Sequence, residues 1–140
     1  MQEIFEKYSA LLQTNPLFHN IAPSVIPIML THLQATVKTY HKEEYVKSTG
    51  DKMDFIALVL TGKVHVLQDD YYGNRSITAS ISAGSLFAEA FACAGVSFLP
   101  VDIVAAEDCT VMYLNSNTLF HACDGNCQFH HIIIQNLLGI

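Results

Sequence analysis

The sequence predicts a mainly β domain, a sandwich or barrel of about eight short strands with helices at both ends. Two observations carry this. Between residues 34 and 115, runs of Val, Ile, Tyr, Phe and Thr alternate with turn residues at short, regular spacing. Outside that stretch the apolar spacing changes to the helical one. At 140 residues the chain is long enough for one domain with a real core. The expected division is a helical part over 1–33, a β-barrel over 34–115 and helices over 116–140, all within a single domain 1–140.

The first helix is expected over residues 2–12, where Ile4, Phe5, Tyr8, Leu11 and Leu12 recur at helical spacing. Asn15-Pro16 ends it, and Leu17, Phe18 and Ile21 form a one-turn anchor. Ser24 is placed to cap a helix over 25–33 with Val25, Ile28, Met29 and Leu33 on one face and Pro27 in its first turn. The strands follow: 35–40, 44–47, the nearly continuous apolar run Phe55-Ile56-Ala57-Leu58-Val59-Leu60, then 63–68. Gly73-Asn74 signals a hairpin into 76–81, with Tyr71 and Tyr72 at its tip. Strands 101–105 and 109–114 complete the set, and Asn115-Ser116-Asn117 caps a helix through about residue 122. After the break at Asp124-Gly125-Asn126, a last helix runs from Cys127 to the end.

Composition excludes several functions. A formal charge of −6 with seven scattered basic residues argues against this chain gripping nucleic acid by itself. No apolar run is long enough to span a bilayer, and the start is not that of a signal peptide, so a cytoplasmic domain without membrane contact is expected. No nucleophile elbow and no acid–base pair at a telling spacing points to an enzyme. Cys123, Cys127, His130 and His131 have thiolate and imidazole chemistry that suits zinc. Buried cysteines are more often inert packing, however, and the Asp124-Gly125-Asn126 turn lets Cys123 and Cys127 diverge. Reduced, metal-free thiols are the expectation, with no cofactor. No cysteine precedes Cys93 to hold an iron–sulfur cluster of the N-terminal type, and no axial-ligand motif singles out a histidine for haem.

Gly84-Ser85-Leu86-Phe87-Ala88-Glu89-Ala90-Phe91 carries the site. A Gly opens a turn, Phe87 anchors it, small Ala88 lets the backbone bend, and Glu89 begins a short helix. A carboxylate among apolar neighbours either caps backbone N–H groups or holds something polar in a cavity.

In this order the elements resemble the effector domain of the Crp/Fnr transcription regulators. The likeness lies at Glu43-Glu44-Tyr45-Val46 to Gly50-Asp51, at Phe55 through Val64, at Gly84 to Glu89, and at Asp108-Cys109-Thr110-Val111 to Leu114. It implies a double-stranded β-helix (jelly-roll) barrel, in which Gly84 to Glu89 is the start of the phosphate-binding cassette and the hairpin tip at Tyr71-Tyr72 is a flap. It also implies a C-terminal dimerisation helix and a winged helix-turn-helix, through which alone DNA would be bound. The sequence stops at Leu137-Leu138-Gly139-Ile140, before either is complete, so the sensor half alone is expected. In the last helix, Phe129, Ile132, Ile133 and Leu137 are expected to pack on the barrel, and Ile134 and Leu138 on a second chain in a homodimer.

The cassette departs from the family's cyclic-nucleotide binders at one point. Where they carry an Arg followed by Ser or Thr, counting without gaps from Glu89 gives Leu99 and Pro100. No Arg or Lys occurs from residue 76 to 140, so a buried cyclic phosphate is expected to meet no cation. The expected ligand is therefore an apolar or aromatic small-molecule effector. Gly84, Leu86, Phe87, Ala88, Glu89, Phe91, Leu99 and Pro100 are its candidate contacts, with Phe98 also on the lining. The alternatives are a ligand-free dimerisation barrel and a cupin-type small-molecule binder. Against the second, only His65 lies on a confident barrel strand, where cupin metal motifs need several.

Overall fold

A computed structural model of the chain describes residues 2–69, 72–120 and 136. Residues 1–36 pack with the end of the last strand, the helix after it and Asn136 as one compact unit, and residues 37–113 form the other.

In the first unit, α1 spans Gln2–Thr14, with a break from helical geometry at Tyr8, and Leu12 is fully buried. Asn15 then caps a 3₁₀ turn at Pro16–Phe18, its side-chain oxygen accepting the Leu17 N–H at 2.9 Å. This turn buries Leu17 and Phe18. Asn136 donates from its amide nitrogen to the Leu17 and His19 carbonyls at 2.9 and 2.7 Å, satisfying the free C=O groups at the end of that turn. α2 spans Ile26–His32 and departs from expectation at its start. Val25 is the N-cap, without a side-chain cap, and Ser24 is exposed. The apolar stripe also differs from the expected one, because packing turns the i, i+3, i+4, i+7 set Ile26, Met29, Leu30 and Leu33 inward and leaves Ile28 64% exposed. The last element, α4 (Ser116–Phe120), begins as expected, with Asn115 accepting the Thr118 N–H at 2.9 Å.

The second unit is the barrel. Its strands are β1 (Thr36–Tyr40), β2 (Tyr45–Lys47), β3 (Phe55–Thr61), β4 (Lys63–Asp69), β5 (Arg75–Ser82), β6 (Leu86–Phe87), β7 (Asp102–Ala105) and β8 (Cys109–Asn115). A short helix, α3 (Glu89–Cys93), follows β6. One sheet has the order β1-β8-β3-β6 and the other β2-β7-β4-β5. Apart from the β4–β5 hairpin, neighbours in each sheet are distant in sequence, so the chain crosses back and forth between the two sheets, as a jelly-roll does. β3 is buried on both faces, which explains its unbroken apolar run. Its Phe55, Ala57 and Val59 join Val46, Val64, Phe87, Leu99, Val101, Ile103, Val111 and Tyr113 in the interior.

The turn from β3 to β4 requires glycine. Gly62 has φ +79°, and a Cβ there would lie 2.7 Å from the Cys109 Cβ and closer still to the Asp108 carbonyl. The β4–β5 hairpin pairs from Lys63 opposite Ser82 to Asp69 opposite Arg75, as its turn residues predict. Among the described residues no helix is long and apolar enough to cross a membrane.

Candidate ligand site

The Gly84–Glu89 stretch is held to β3 by backbone bonds. The Gly84 N–H donates to the Val59 carbonyl at 2.8 Å, and the Val59 N–H returns to the Ser85 carbonyl at 3.0 Å. With Gly84 at φ +91°, the chain reverses and pairs Phe87 with Ala57 and Leu86 with Leu58. Opposed residues share a face. Phe87 therefore points into the barrel with Ala57, and Leu86 lies on the other face with Leu58. Ala88 then takes the left-handed conformation, φ +68°, as the N-cap of α3. That geometry costs an L-residue about 1–2 kcal/mol, and it turns the chain so that α3 begins at Glu89.

Glu89 is half-buried, and among the described residues no hydrogen bond reaches its carboxylate. The bland expectation, that it caps backbone N–H groups, is not met. Its charge does reach Cys93: burial first, and then this carboxylate, hold the exposed thiol above its usual range. That thiol is therefore protonated at neutral pH and a poor nucleophile.

The far arm of the cassette is locked onto the turn after β2. Leu99 donates its N–H to Asp51 at 2.8 Å and accepts the Gly50 N–H at 2.8 Å, and the Met53 N–H donates to Ser97 at 3.0 Å. The Leu99 side chain is buried in the interior, and Phe91 packs partly buried against the same core. Pro100 is exposed, and Phe98, at 62% exposed, bridges Lys52 on the outside. Thus Phe87, Ala88, Phe91 and Leu99 come together on the interior side, while Leu86, Phe98 and Pro100 do not share it. The reason is local: strand alternation reverses Leu86, and the short bridge at Phe98 leaves only Leu99 turned inward. Ile134, Leu138 and the Cys123, Cys127, His130 and His131 group lie outside the described residues. Among the described residues no cluster of three or more potential metal ligands occurs.

A cation also borders this interior: the half-buried Lys47 of β2. Lys47 places its ammonium 4.8 Å from the Phe55 ring centre and 5.0 Å from that of Tyr113. The two rings meet edge to face at 5.6 Å, and Phe55 meets Phe87 at 6.5 Å. The Tyr113 hydroxyl is 2.7 Å from that of Tyr40, and burial pushes its pKa far above the ordinary range, so it is neutral. The expectation of a cation-free interior counted charges along residues 76–140 and missed Lys47. A simple alternation through Tyr45-Val46-Lys47 turns Lys47 outward if Val46 is inward. The register between β2 and β7 shifts here, however: Tyr45 opposes Val104 and Lys47 opposes Ile103, two residues against one. The bulge brings Val46 and Lys47 both to the interior side.

A concavity of about 260 Å³ opens near the other end of β3 beside Thr61, Thr39, Tyr40, His41, Asp108, Cys109 and Thr110. Its buried Cys109 thiol is held above its usual range by burial and by the Asp108 and Glu107 charges, so it offers no reactive sulfur.

The sequence model for the cyclic nucleotide-binding domain matches residues 37–126. The chain belongs to the cyclic nucleotide-binding domain family. A search of curated proteins finds no match. Among solved structures, the sensor domain of the transcriptional regulator DNR from Pseudomonas aeruginosa is similar at TM-score 0.76 and 17% identity, covering 98% of this chain and 90% of that one. A cyclic nucleotide-binding domain from Methylobacillus flagellatus matches at TM-score 0.79 and 18% identity, over 98% and 75%. The Thermus thermophilus catabolite activator protein matches at TM-score 0.73 and 22% identity, covering 89% of this chain. The chain spans 55% of the length of that protein. At these identities the shared property is the fold.

Proposed function

We propose that this chain is the effector-sensing domain of a Crp/Fnr-type transcription regulator, and that its barrel binds a small ligand other than a cyclic nucleotide. The observation that carries the reading is at Leu99-Pro100. Where the family's binders present an Arg and a hydroxyl to the phosphate, this chain buries a leucine whose N–H and C=O are both committed to Gly50 and Asp51. Pro100 has no N–H to give. The cassette keeps its turn and its glutamate but offers a phosphate nothing at these two positions. The named relatives include a regulator's sensor domain and a catabolite activator protein, which supports a regulatory, non-catalytic role. A ligand in the interior would act by favouring one arrangement of the C-terminal helix over another. That helix would join two copies through Ile134 and Leu138, and DNA would be bound by a further domain. Sedimentation at rising concentration tests the dimer: a species of one chain's mass throughout counts against it.

The test of the ligand site is a titration with small aromatic amphiphiles followed by NMR. Shifts are expected at Phe87, Ala88, Glu89, Phe91 and Leu99. Saturable shifts confined to surface residues would refute an interior site.

A further inference from the structure

We infer that the effector is a small organic monoanion with an apolar or aromatic body, and that Lys47 is the residue that receives its charge. This deepens the proposed function and rests on the barrel being a ligand site. The first ground is placement. Lys47 opposes Ile103, a fully interior residue, only because β2 is bulged at this point. Bulges beside sites re-aim side chains in this way. A half-buried lysine over these rings is an uncommon use of the position, since Leu or Met would fill the same space without a charge.

The second ground is what surrounds the ammonium. It sits over the faces of Phe55 and Tyr113, and Phe55 in turn meets Phe87 of the cassette. Ring faces attract a cation but do not neutralise it. Among the described residues the Lys47 side chain forms no ion pair and no hydrogen bond. Arg75 shows the contrast, its guanidinium lying 2.8 Å from the Asp102 carboxylate. Lys47 is thus a held charge beside an aromatic wall, with its donors uncommitted within the described protein.

The third ground sets the ligand's chemistry. A lysine is a compact point charge, which suits one carboxylate or similar monoanion rather than the two-pronged grip that arginine gives a phosphate. Glu89 opens the helix after Phe87, and its negative charge disfavours a ligand with a second anionic group nearby. Rings of Phe55, Phe87 and Tyr113 favour a planar or apolar body.

The probe is 8-anilinonaphthalene-1-sulfonate, an aromatic body with one anionic group, followed by fluorescence and by the ring resonances of Phe55 and Tyr113. Saturable binding that shifts both rings is expected, displaced by benzoate and not by uncharged benzamide. Lys47→Met should weaken it by roughly tenfold or more, the scale of one lost charged hydrogen bond, and Lys47→Arg should largely retain it. Lys47→Gln gives the same reading should methionine disturb the interior, and thermal melting of each variant verifies folding. If both uncharged variants bind as the native chain does, with the same ring shifts, the assignment to Lys47 is wrong and the barrel site stands. If no ring shift occurs even in the native chain, the interior site fails, and this inference with it.

Discussion

At the scale of single residues, three positions decide what the barrel can do. Leu99, expected by a gap-free count from Glu89 to stand at the family's arginine position, is buried, with its backbone bonded to Gly50 and Asp51. Lys47 was not legible, because its direction depends on a bulge, and a bulge is set by pairing with a strand more than fifty residues away. Glu89 was placed correctly at the start of α3, but only the structure shows that among the described residues no backbone group claims it. Gly62 is the residue whose loss should cost most for its size. Alanine there meets the Asp108 carbonyl and Cys109 in a left-handed backbone. Gly62→Ala should destabilise the fold by roughly 2–5 kcal/mol, combining the conformational and steric terms. Against a usual total of about 5–15 kcal/mol that is a severe loss, visible as a large fall in urea midpoint. An unchanged midpoint would mean the turn can relax in a way the packing at Cys109 does not suggest.

Among the elements, strands were easier to read than helix starts. β3 announced itself by six apolar residues in a row, because it is buried on both faces. The hairpin was visible in Gly73-Asn74, whereas α2 began past the expected cap because Ser24 makes no side-chain capping bond and Val25 takes the N-cap place. Side-chain ties between elements have no local signature, and Asp102 is the main one in the barrel. From the start of β7 it accepts the Thr49 N–H at 2.7 Å, the Thr49 hydroxyl at 3.0 Å and Arg75 at 2.8 Å. It thereby joins the turn after β2 to β7 and to the first residue of β5. These bonds, the Thr49 N–H foremost, hold its carboxyl below the usual carboxylate range. Its folded value being depressed, Asp102 adds stability above its unfolded value of about 4, and this is lost as pH falls through the folded value. Asp102→Asn should therefore lower the melting temperature at pH 7, and its deficit should shrink below about pH 4. Calorimetric scans across that range check it, and a deficit that grows in acid would contradict the sign.

At the scale of the whole molecule, the fold was legible and the ligand was not. Strand count, spacing and the Gly84–Glu89 turn were enough to point to a jelly-roll of the cyclic nucleotide-binding family. What fills such a barrel is set by which side chains turn inward, and that depends on register. Two opposed features define this interior: a cassette with leucine and proline in place of its phosphate grip, and a lysine from the other sheet held over aromatic rings. On the proposed reading, the domain has its family's architecture and takes a ligand smaller than a nucleotide. Losing an arginine fork to a shielded phosphate removes about 1.5–3 kcal/mol of charged hydrogen bonding. Binding should be weaker by roughly tenfold to a hundredfold. The most direct measurement is titration calorimetry of the unmodified domain with cyclic AMP and cyclic GMP. No saturable heat at micromolar concentrations of either nucleotide is the predicted result; saturable micromolar binding of either would contradict the account.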